Sequence, residues 1–254
     1  MRHTRSCLRV ALAIAGFIAL SAHAQISYAQ QSPSATPVRA VLGVTNLPSV
    51  VGTPMFLKLS KVAVPAGQST SYVGPVGFIY VLSGSLSAQL EGGRHSLGQG
   101  DALLVAAKAH YSFIAIGPEP AVFLHYVLAR AAELPEAATS EPGSMTELYR
   151  SPPIPHLKPG PYEFTLTRVS FPPRMPINPP HYRSGAALYY VLAGSGTFVA
   201  DGKTERKEIG TPHFEPYGWV HQWGNAGDTP LVLLQANISE EGVPAVIAGH
   251  PPSP

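Results

Sequence analysis

The sequence predicts an all-β protein made of two copies of one barrel-like or sandwich-like domain. Short apolar or alternating runs recur along the chain, each bounded by Gly or Pro, as expected of strands joined by tight turns. Gly and Pro, 24 and 27 residues of 254, both oppose helix interiors. An internal repeat with an offset of 110 residues divides the chain into two halves, and such self-similarity decides the architecture.

Three separate blocks hold the repeat in one register. Tyr80-Val81-Leu82-Ser83-Gly84-Ser85 matches Tyr190-Val191-Leu192-Ala193-Gly194-Ser195. Gly100 matches Gly210. Gly117, Pro120, Val122 and Leu124 match Gly227, Pro230, Val232 and Leu234. An ungapped register puts Ser71 in the place of His181 and Tyr111 in the place of His221.

The elements follow in chain order. Arg2, Arg5 and Arg9 precede an apolar run, Val10 to Leu20, and then the small residues of Ala22-His23-Ala24. This predicts a secretory signal over 1–24, because the run is far shorter than the ~20 residues that span a bilayer. Residues 25–45 start with Gln, Ser, Pro and Ala and are expected to be a flexible leader. The first barrel is placed at 46–130. Its run FLKLSKVAV (56–64) alternates, GFIYVLSGSLSAQL (77–90) is broken by a Gly turn, and DALLV (101–105) is a buried strand. Residues 131–155, which include AAELPEAATSEPGS, are expected to be a linker. The second barrel is placed at 156–254, with EFTLTRVSF (163–171), AALYYVLAGSGTFV (186–199) and PLVLLQANI (230–238) as strands.

Charge and cysteine content exclude several functions. Cys7 is the one cysteine and lies in the signal, so the mature chain can form no internal disulfide. The chain has 17 basic and 15 acidic residues. Loss of Arg2, Arg5 and Arg9 leaves it near neutrality, without the concentrated basic face of a nucleic-acid binder. The expected product is exported, secreted or periplasmic, with no membrane span after cleavage.

The residues that carry chemistry lie in IGTPHFEPYGWVHQWGN (209–225). Pro216 and Gly218 shape a turn, Pro by its fixed φ and Gly by tolerating positive φ. His221 then starts the returning strand, and Trp223 shares its face by the period of two. By the same rule His213 shares a face with Glu215, and His181 with Arg183. The spacing Gly210, Pro216, Gly218, His221, Asn225 resembles the second motif of the cupin superfamily without departure. The first motif of that family is looser here: His181 matches a ligand histidine, while Arg183 and Ala187 stand where a second histidine and a glutamate are expected before Gly194. The resemblance covers about 56–127 and 164–237. It implies two tandem jelly-roll β-barrels, a bicupin, with His181 and His221 pointing into the second barrel, where cupins hold a divalent metal.

Two readings of that barrel stay open. In one, Glu215 replaces the lost glutamate and a His181–His221–Glu215 set holds one divalent transition metal (Fe, Mn, Ni, Cu or Zn), as two-His-one-carboxylate sites do. Arg183, Tyr189 and Glu215 are then the catalytic candidates, and Arg183, Tyr189 and Trp223 the ligand-binding ones. In the other, Arg183 pairs with Glu215 or grips an anionic ligand through its fork of donors, and no metal is needed. The first barrel offers Ser71, Val73, Gly77 and Tyr111 in its ligand slots, so no metal is expected there. The partner expected is a small molecule, with self-association left open. The reading is an exported bicupin with a small-molecule pocket in its second barrel. It is either a metal-dependent enzyme of dioxygenase, isomerase or lyase type, or a metal-free binding or structural protein.

Overall fold

The computed structural model describes residues 36–50, 54–90, 92–135, 141–155 and 157–251, without the side chains of 48–50. The signal, the first part of the leader and His156 lie outside the described residues. The first half contributes β1 (Val38–Val50), β2 (Met55–Val64), β3 (Ser69–Tyr72), β4 (Gly77–Ser83), β5 (Leu86–Leu90), β6 (Gly93–Leu97), β7 (Ala102–Val105), β8 (Tyr111–Ala115) and β9 (Ala121–Arg130). The second contributes β10 (Ser144–Arg150), β11 (Gly160–Phe171), β12 (His181–Arg183), β13 (Ala186–Ala193), β14 (Gly196–Ala200), β15 (Lys203–Lys207), β16 (Pro212–Glu215), β17 (His221–Gly224), β18 (Leu231–Glu240) and β19 (Val246–Ala248).

Each barrel is two antiparallel sheets face to face. The first pairs β10-β2-β9-β4-β7 with β3-β8-β5-β6. The second pairs β1-β11-β18-β13-β16 with β15-β14-β17-β12-β19. Period-two alternation sends one face of each strand inward. Val62, Val64, Ile79, Val81, Phe113 and Phe123 fill the first interior. Val169, Phe171, Tyr189, Val191, Phe198 and Trp223 fill much of the second. The outward faces of the β10-β2-β9-β4-β7 and β1-β11-β18-β13-β16 sheets pack on each other through Leu57, Phe78, Tyr126, Phe164, Leu188 and Ile238. Phe78 meets Phe164 with ring centres 4.9 Å apart, and the Tyr126 hydroxyl donates to the Leu234 carbonyl at 3.3 Å. Each fully buried Leu or Phe stabilises by about 1.5–3 kcal/mol, so this layer joins the barrels firmly.

Two sequence expectations about connections are corrected. The end of the leader is not flexible: Val38–Val50 is a strand, and it pairs with β11 of the second barrel. The linker likewise holds β10, which pairs with β2 of the first. Each barrel therefore takes an edge strand from outside its own repeat. Composition hid both, because an edge strand needs only one apolar face. The glycines of the repeat have a shared backbone cause. Gly84 and Gly194 adopt φ of +73° and +70°, and a Cβ at either would come within 2.5 Å of the carbonyl of Pro120 or 2.4 Å of that of Pro230.

The register also needs one correction. Tyr111 pairs with Tyr72, whereas His221 pairs with His181. With Tyr111 in the place of His221, Tyr72 rather than Ser71 stands for His181. Ser71 is exposed and Tyr72 buried, as a one-residue shift of faces requires. The 110-residue register is regained at Gly77 and Ala187, which pair respectively with Val105 and Val127, and with Glu215 and Asn237.

Candidate functional site

The turn and strand expected around His221 form as the spacing requires. Gly218 has φ of +71° and its N–H donates to the Arg183 carbonyl at 3.0 Å. Asn225 closes the far end: its amide donates to the carbonyls of Phe171, Pro172 and Thr229, and its oxygen accepts from Gly227 N–H. His221 and Trp223 then face inward, both 1 % exposed.

Glu215 is the centre of what they meet. It stands directly opposite Ala187, so the small side chain at the lost glutamate position leaves space for a carboxylate from the next strand. Its Oε2 accepts from Arg183 Nε at 2.7 Å and lies 3.0 Å from His221 Nε2. Its Oε1 accepts from Trp223 Nε1 at 2.7 Å. Arg183 Nη2 also donates to the Tyr189 hydroxyl. Burial pushes the Glu215 carboxyl up, but Arg183 and then His221 outweigh it and hold the group well below the usual carboxylate range. Burial pushes Arg183 down, and Glu215 opposes this.

The two histidines form a cross-strand pair, ring centres 4.4 Å apart. His181 Nδ1 is 3.0 Å from the Pro179 carbonyl and His221 Nδ1 is 2.8 Å from that of Trp219. A carbonyl only accepts, so Nδ1 of each ring carries a proton; Nε2 of His221 is buried. The His221–Glu215 contact needs one more proton between the two groups. His213, opposite Tyr189, is also buried, and its Nε2 has no partner among the described residues. Burial first of all lowers His181 and His213 to about 4.

As arranged, these donors do not fit a divalent ion. Both oxygens of Glu215 are taken by hydrogen-bond partners, and a guanidinium, itself a cation, lies where a metal would share the carboxylate. Among the described residues no group of three His, Cys, Asp or Glu has metal-site geometry. His181, His221 and Glu215 are thus brought together, and so are Arg183, Tyr189 and Trp223, but as a closed hydrogen-bonded core. Tyr189 and Trp223 are 2 % and 1 % exposed and are packed residues, where an open pocket wall was expected. The open space lies outside them. A cleft of about 600 Å³ at the barrel mouth is bounded by Pro180, Ala200, Asp201, Trp219, His221 and His250. Trp219 stands at its edge, Nε1 donating to Asp201 at 2.9 Å. The first barrel has a smaller cleft of about 150 Å³ on Leu90, Gly92, Lys108, Ala109 and His110. These positions lie 110 residues before Ala200, Gly202, Gly218, Trp219 and Val220, all of which line the larger one.

The centre of the first barrel is apolar at matching positions, with Val105, Val127, Tyr72 and Tyr111 in place of Glu215, Asn237, His181 and His221. The tyrosine hydroxyls turn to backbone, Tyr72 donating to the Pro75 carbonyl and Tyr111 accepting from Ala106 N–H. His125 is buried beside Tyr72, ring centres 4.5 Å apart. Sequence reasoning missed Arg39, Gln235 and Asn237. Arg39 Nη1 donates to Gln235 Oε1 at 3.3 Å, and Gln235 and Asn237 are buried. The signal that could have found Gln235 and Asn237 is the period of two in PLVLLQANI, which puts them on one face; nothing local to Arg39 shows which barrel it enters.

Among known proteins, the Cupin domain family matches residues 73–127 and 167–236. No curated protein matches the chain by sequence. Of solved structures, a variant of oxalate decarboxylase from Bacillus subtilis is 12 % identical with a TM-score of 0.54, covering 83 % of this chain and 78 % of that one. Another structure of that enzyme, from work on its Mn(II) centres, is 13 % identical with a TM-score of 0.51 over the same shares. AerE from Microcystis aeruginosa is 15 % identical with a TM-score of 0.52, covering 82 % of this chain and all of that one. At such identities the structural likeness shows a shared fold and nothing more.

Proposed function

The chain belongs to the cupin superfamily as a bicupin, and we propose that it is an exported protein whose second barrel recognises a small organic molecule with its own charged side chains where cupins hold a metal. The observation that carries this is the Arg183–Glu215 pair, 2.7 Å apart, with the two side chains 1 % and 0 % exposed. A fixed guanidinium supplies positive charge at the barrel centre without an ion. The cleft of about 600 Å³ over His221 supports a ligand role, being in the size range of small-molecule sites. The basic start and apolar run within 1–24 support export. Elemental analysis of untagged protein tests the reading: Fe, Mn, Ni, Cu and Zn should all stay far below one equivalent. One equivalent of any of them, lost in His221→Ala, would overturn it.

A second reading rests on a different observation. The two histidine rings pack together with Nδ1 of each tied to a backbone carbonyl, which leaves Nε2 as the nitrogen able to ligate, as in ligand histidines. If Arg183 withdraws from Glu215, then His181, His221 and Glu215 are the residues that would hold a divalent ion. Arg183 and Tyr189 would then orient an anionic substrate for chemistry of dioxygenase, isomerase or lyase type.

A further inference from the structure

At the centre of the second barrel one carboxylate faces two guanidinium groups. Glu215 is the one buried carboxylate among the described residues, and it already faces Arg183 and His221. Arg39 brings a second guanidinium from β1, the strand that enters from outside the repeat. It lies close enough to act electrostatically on both Glu215 and Arg183, yet among the described residues it has no acidic partner; its contact is the Gln235 amide. No Asp or Glu precedes it in the chain. Arg183 Nη1 is buried with no partner among the described residues. The two arginines are linked through the interior: Arg183 holds Tyr189, Tyr189 stands opposite Gln235, and Gln235 accepts from Arg39. The Arg39 residue as a whole remains exposed, so an anion can reach it from solvent.

We propose that a small carboxylate anion binds the second barrel at Arg39, drawn there by the paired positive charge of Arg39 and Arg183. A carboxylate suits the site because a guanidinium offers two parallel N–H donors to its two oxygens. Gln235 orients the Arg39 fork from the side. The exchange of β1 between the repeats then has a functional consequence: a strand that precedes the first repeat completes the site of the second barrel. The inference rests on reading that barrel as a ligand-binding one, and it adds the class of ligand and the residue that recruits it.

The test uses the mature chain with acetate as probe. Trp223 bonds Glu215, and the chain has only two tryptophans, so intrinsic fluorescence reports on the barrel centre. Acetate should give a saturable change and a rise in Tm, while chloride at equal ionic strength should give neither. Arg39→Gln should weaken acetate binding by about tenfold or more, the scale of one lost charged hydrogen bond. Arg39→Lys keeps the charge without the fork and should weaken it too, which serves if Arg39→Gln does not fold. Equal acetate affinity in wild type and Arg39→Lys, an identical response to chloride, or no saturable response would each overturn the proposal. Metal content is read on the same sample, so a stoichiometric metal would sink the metal-free reading while the anion result stands or falls on Arg39.

Discussion

Ala187 and Glu215 face each other across the β13–β16 pairing. The methyl group sits where the family resemblance places a glutamate, and the carboxylate comes from the adjacent strand. An acid displaced by one strand keeps its place at the barrel centre but gains a new partner, Arg183. That partner decides whether the centre is a ligand set or an ion pair.

The Arg183–Glu215 pair should show strong coupling. Arg183→Met or Glu215→Leu alone leaves one charge buried and should cost about 3–5 kcal/mol. The double variant should lose much less than the sum of the two. Urea denaturation of all four proteins measures this, and additive losses would show that the pair is not coupled.

Stability should fall on mild acidification. His181 and His213 are lowered to about 4, mainly by burial, and His125 to about 3, by burial and then Lys58. Each takes up a proton on unfolding once the pH drops below the ordinary value of 6.5, so each contribution is complete above 6.5 and declines below it. Glu215 is held below its ordinary value of 4.5, so its contribution is present above 4.5 and is lost as the pH falls further. Urea midpoints should be level above pH 6.5 and drop steadily below it. His213→Gln should flatten the upper part of that slope; an unchanged slope would show that His213 is not held neutral by the fold.

The repeats should not fold separately. Residues 36–135 lack β10, and residues 141–254 lack β1, so each half leaves a sheet edge and the layer of Phe78 and Phe164 uncovered. Each half alone should lack the near-ultraviolet circular dichroism of the whole chain and should aggregate. A cooperative thermal transition in either half would contradict the strand exchange.

The exported protein should begin at Gln25. Intact mass of material from the culture medium or periplasm reads this directly, and a chain retaining Arg2 to Leu20 would refute the signal reading.

The sequence by itself determined the features that depend on local geometry. The 110-residue repeat, the turn glycines Gly84 and Gly194, and the Pro216–Gly218 turn all follow from backbone restrictions that a short stretch carries within it. The period of two put His221 and Trp223 on one inward face, and gave His213 and Glu215 a face in common. Only the tertiary structure decided who meets whom across strands. That Arg183 lies on Glu215, that Tyr72 rather than Ser71 stands for His181, and that β1 carries Arg39 into the far barrel are matters of register between segments distant in sequence. Register is set by the packing of whole sheets, because a one-residue slip turns every side chain to the opposite face. The charge balance at the barrel centre depends on that packing, and so does the choice between a metal ligand set and a closed ion pair.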